Sequence, residues 1–143
     1  SHHGERPEPV AALKKIEGFQ VSMMSYLVDL LKAQDDPING GTLLDHTSVL
    51  YGCGMATGGH STRNLPLVLA GGGFKHGEHK VYPGPHLKDL KSSDRLVSQE
   101  KRLAEGVSEV PAANLLLSIL QNSGLEIDRF GSSTGTLAGL EWS

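Results

Sequence analysis

The chain has 143 residues, with 13 basic and 16 acidic side chains and a formal charge of −3. That is the length of one ordinary domain, and the charge balance leaves no electrostatic footprint for nucleic acid or an anionic membrane. A single cysteine excludes an internal disulfide framework and a paired-cysteine metal site, and no apolar run approaches the roughly 20 residues that span a bilayer.

The first element is a helix expected from about Glu8 to Ala33. Leu13, Ile16, Phe19, Met23, Leu27, Leu30 and Leu31 recur at three- and four-residue spacing, which reads as one apolar helical face. Pro7 and Pro9 suit the entry, and Asp35-Asp36-Pro37 followed by Asn39-Gly40-Gly41 closes the helix and turns the chain. A short β-prone run, Thr47-Ser48-Val49-Leu50-Tyr51, stops at Gly52-Cys53-Gly54. A polar loop then leads to a second strand at Leu65-Pro66-Leu67-Val68-Leu69-Ala70, ended by Gly71-Gly72-Gly73, and a third extended piece is expected at Gly77 to Tyr82. Residues 83–109 lack apolar periodicity and read as an exposed excursion with a weak helix near Val97 to Glu105. Pro111 opens a second helix, Ala112 to Gln121, with Leu115, Leu116, Ile119 and Leu120 on one side and Asn122-Ser123-Gly124 as its stop. The glycine- and serine-rich tail from Gly131 is expected to lie irregularly over the body.

Short apolar strands beside a long helix, with glycines clustered at strand ends, predict an α/β fold: layered α/β/α with a mainly parallel sheet, in a single domain or fragment spanning 1–143.

Seven histidines and one cysteine are the only compositional hint of a site. In open α/β sheets ligands collect at the carboxyl ends of strands, where Cys53, His60 and His76 fall in this topology. Imidazole and thiolate suit zinc or another divalent metal, yet neither an HExxH nor a paired-cysteine motif is present. Cys53 reads either as a nucleophile or as a small structural thiol. His2 and His3 can equally be a tag remnant, and His46, His79 and His86 read as surface residues. Gly52-x-Gly54 lacks the third glycine of a dinucleotide loop, and no G-x-S-x-G elbow occurs.

Three stretches carry a resemblance to a known family. They are Gly41-Thr-Leu-Leu-Asp-His-Thr-Ser-Val-Leu-Tyr-Gly-Cys-Gly-Met, Asn64-Leu-Pro-Leu-Val-Leu-Ala-Gly-Gly-Gly-Phe-Lys-His-Gly, and Asn114-Leu-Leu-Leu-Ser-Ile-Leu-Gln with Phe130-Gly-Ser-Ser-Thr-Gly-Thr-Leu. Together they resemble the C-terminal part of the domain-of-unknown-function family 1552. The resemblance covers most of the chain outside 83–109. It implies a C-terminal piece of a longer bacterial protein, exported to the periplasm or cell envelope.

That family is distantly similar to another uncharacterised family, number 1501, and through it to the alkaline phosphatase and sulfatase superfamily. On this similarity His3-Gly4 falls on a His-Gly motif with Ser1 in the aspartate's place. His60 falls on a metal-ligating histidine, and Cys53 where an acidic ligand would sit. The resemblance thus implies His3, His60 and Cys53 as metal residues and a partial alkaline-phosphatase-like fold, with the superfamily's nucleophile outside this chain. A two-metal phosphotransfer site needs several carboxylates to neutralise two dications, and here two carboxylates are replaced. The expectation is therefore a non-catalytic binding or assembly subunit of an envelope complex, partnered by the N-terminal part of its own protein or by other envelope proteins. The competing expectation is the C-terminal half of a metal-dependent phosphate or sulfate ester hydrolase.

Overall fold

A computed structural model describes residues 6–56, 62–82 and 109–142. In chain order the elements are helix α1 (Pro7–Lys32), strand β1 (Ser48–Gly52), strand β2 (Leu67–Gly71) and helix α2 (Ala112–Asn122). The described residues divide into two compact units, one comprising 6–51 and 67–73, the other 52–56, 62–66, 74–82 and 109–142.

The first unit holds α1, the turn after it and the strand pair. Pro7 and Pro9 stand in the first turn, where a missing N–H costs nothing, and the helix closes with the Ala33 N–H donating to the Asp29 carbonyl. The chain then folds back: the Leu43 N–H donates to Gln34 O at 2.8 Å and the Leu44 N–H to Leu31 O at 3.3 Å.

β1 and β2 form a two-stranded antiparallel sheet. The layered α/β/α fold with a mainly parallel sheet, and with it the partial alkaline-phosphatase-like fold, is therefore corrected. The reason lies at the strand ends. The Gly72 N–H donates to Leu44 O at 2.9 Å, so the end of β2 lies beside the start of β1. A parallel pair would place it at the far end. Parallel strands also need a crossover, usually helical, and no described residue between Gly52 and Leu67 is helical. Gly71 and Gly72 make the close approach possible. Both have positive φ, 72° and 66°, and a Cβ at Gly71 would run into the carbonyls of Thr47 and Leu44.

The second unit is built on α2, started at Pro111 as expected. Its buried face is Asn114, Leu115, Leu117 and Ser118, whereas Leu116 is exposed, so the face is rotated from the one read in the sequence. Phe74, the other buried apolar residue of this unit, bridges to Trp142, their rings meeting edge to face at 5.6 Å. Residues 77–82 contain no strand. The tail is irregular, as expected. The weak helix near Val97 to Glu105 lies outside the described residues, as does all of the 83–109 excursion except Glu109.

Candidate functional site

His3 and His60 lie outside the described residues, so the structure places only Cys53 of the three expected ligands. Cys53 is a free, exposed thiol just past β1. Among the described residues no three His, Cys, Asp or Glu side chains gather where they could hold a metal ion. His46 is committed to the turn, its Nε2 donating to the Gly40 carbonyl at 2.9 Å.

The polar groups that do converge stabilise loops. Asp36 is buried, and its Oδ1 accepts the N–H groups of Ile38 (2.9 Å) and Asn39 (3.1 Å) while Oδ2 accepts Asn39 Nδ2 (2.9 Å). These bonds, the Asn39 amide foremost, hold its carboxyl below the ordinary range. Asp45 repeats the device: the Thr42 N–H and hydroxyl both donate to its Oδ2 and lower its pKa. The Asx turn at Asp36 and the backward-reaching carboxylate of Asp45 both satisfy backbone donors in the loop.

In the second unit the buried Asn114 and Ser118 receive the tail. The Thr134 N–H donates to Asn114 Oδ1 at 2.9 Å, and the Leu137 N–H donates to Ser118 Oγ at 2.8 Å. Ser118 returns its own hydroxyl proton to the Asn114 carbonyl at 3.0 Å. Arg63 Nε and Glu109 Oε1, both mostly buried, form an ion pair at 3.1 Å.

What stands out is apolar. No residue of α1 is buried, although it is 26 residues long. At 3.6 residues per turn, Val10, Leu13, Met24, Val28 and Leu31 share a stripe about 60° wide, and all five are half-buried. Ile16, Phe19, Met23, Tyr26, Leu27 and Leu30 share a second stripe about 100° wide, centred roughly 120° from the first. All six are exposed, Phe19 by 64% and Tyr26 by 59%. The single apolar face read in the sequence is thus two faces, with Leu13 and Leu31 on one and the rest on the other. Lys14, Ser22, Ser25, Asp29 and Lys32 lie in the remaining arc, with the exposed Val21 at its edge. In the first unit the fully buried described residues are Asp36, Gly71 and Gly72, so no large apolar side chain there is fully buried.

Together the two stripes take up about 160° of the helix circumference, more than the face of about 100° that a surface helix turns to its own core. Contiguous exposed apolar surface of this kind is a feature that protein-protein sites, membrane-contacting sites and ligand grooves share. No described helix is long and apolar enough to cross a membrane. The chain matches no family model, and comparison with curated proteins and solved structures yields no relative.

Proposed function

We propose that this chain is a non-catalytic assembly module that docks onto a protein partner through the second apolar stripe of α1. The observation that carries this reading is the helix itself: six large apolar side chains on one stripe, all open to solvent, on a helix with no buried residue. Exposing them in water forgoes roughly 25 cal/mol for each Å² that a partner could cover, which is ample drive for association. An assembly role in the cell envelope follows from the family resemblance alone.

Stability separates docking residues from core residues. Phe19→Ser and Met23→Ser, measured by urea unfolding at high dilution, are expected to shift stability by less than about 0.5 kcal/mol, as for exposed sites generally. Val28→Ser and Leu31→Ser, on the half-buried stripe, are expected to cost clearly more. A loss of more than about 2 kcal/mol in Phe19→Ser would mean that its face is packed within the chain's own fold, and would remove the basis for docking.

A further inference from the structure

The docking reading leaves the partner open, and the register of α1 narrows it. The exposed residues Ile16, Phe19, Met23, Tyr26 and Leu30 alternate at spacings of three and four, the a and d positions of two successive heptads and the a position of the next. Extending that frame places Pro9, Ala12 and Ala33 at the next a and d positions, so no charged residue interrupts the seam along the helix. The positions flanking the seam on its polar side are Lys15, Ser22 and Asp29, all exposed.

We infer that the partner is a second copy of this chain, with the two α1 helices paired antiparallel about Ser22. This rests on the docking reading above. In antiparallel order the a residues of one helix meet the d residues of the other. Phe19 then faces Met23, Ile16 faces Tyr26, and Leu30 faces Ala12. The same register sets Lys15 of each copy opposite Asp29 of the other, giving two reciprocal ion pairs, and brings the two Ser22 residues together at the two-fold axis. Self-complementarity of this kind is what an isologous interface requires. Parallel pairing offers no such match: Lys15 would meet Gln20 and Asp29 would meet Gln34. Charge complementarity therefore selects both the second copy and its direction.

The test is sedimentation of the full chain with charge-swapped variants. Lys15→Glu turns both ion pairs into repulsions, as does Asp29→Lys, and each is expected to raise the dimer dissociation constant roughly tenfold. An equimolar mixture of the two variants restores both attractions, and is expected to dimerise within about threefold of wild type. A second readout is covalent. In a Cys53→Ala background, Ser22→Cys is expected to cross-link two copies under mild oxidation, whereas Ser25→Cys, far round the helix from the seam, is not. A dimer indifferent to both charge swaps and not linked through position 22 overturns the antiparallel pairing. A chain that stays monomeric with Met23 open to solvent also overturns it, while the docking reading stands. A monomer in which Met23 is protected overturns both.

Discussion

At the scale of single residues, the buried polar groups have the clearest consequences. Ser118 is 1% exposed and its hydroxyl is the acceptor for the Leu137 N–H, so Ser118→Ala strands a backbone donor. Unfolding by denaturant is expected to show a loss of about 1–3 kcal/mol, the cost of an unsatisfied buried group. Leu117, equally buried, is expected to cost about 2–5 kcal/mol as Leu117→Ala. The aspartates give a pH signature. Asp36 and Asp45 are both held below their unfolded value of 3.8 by the bonds they accept. Their stabilisation is complete above 3.8 and disappears as pH falls through the lower folded values. Stability followed between pH 5 and pH 2 is expected to decline on the acid side, and less steeply in Asp36→Asn; an unchanged acid limb would contradict the account. None of these roles was legible in the sequence. Asn114 and Ser118 sit inside a run of leucines, where the reading follows the apolar periodicity, and the donors they satisfy come from about 20 residues downstream.

At the scale of elements, both helices and both strands were legible and the pairing of the strands was not. The proline entries and the three- and four-residue spacing of α1 are local signals, and local signals decide where a helix begins and ends. Strand pairing is a long-range choice. Leu67-Val68-Leu69-Ala70 reads as a buried parallel strand, yet Leu67 and Val68 are exposed and the strand pairs antiparallel. The deciding contacts run from Gly71 and Gly72 to residues 44–48, and glycine clusters announce a turn without saying what it approaches. Gly72→Ala is expected to destabilise by about 1–3 kcal/mol, because it places a side chain at φ 66° against Ser48. Gly18→Ala, in α1 with open space around it, is expected to stabilise by up to about 1 kcal/mol. The contrast between the two, read by thermal or chemical unfolding, separates a structural glycine from a tolerated one. Of the expected metal site, only Cys53 falls among the described residues, and it stands exposed past the end of β1.

At the scale of the molecule, α1 carries more apolar surface than its own unit covers. The sequence shows the apolar residues but merges two stripes into one, since spacing alone does not say which side the chain's own turn and strands will occupy. Met23 and Met24 are adjacent in sequence and stand on different stripes, Met23 exposed by 46% and Met24 half-buried. Met55, exposed by 51%, supplies a reference for a thioether of comparable exposure. Peroxide footprinting of the dilute chain, with each sulfoxide located by fragmentation, tests the docking surface most directly. The account predicts that Met23 oxidises at close to the rate of Met55 and several-fold faster than Met24, and that Met23 alone becomes protected as concentration drives association. Met23 protected to the same degree as Met24 in the dilute monomer would contradict it, because the stripe would then already be covered by the chain itself.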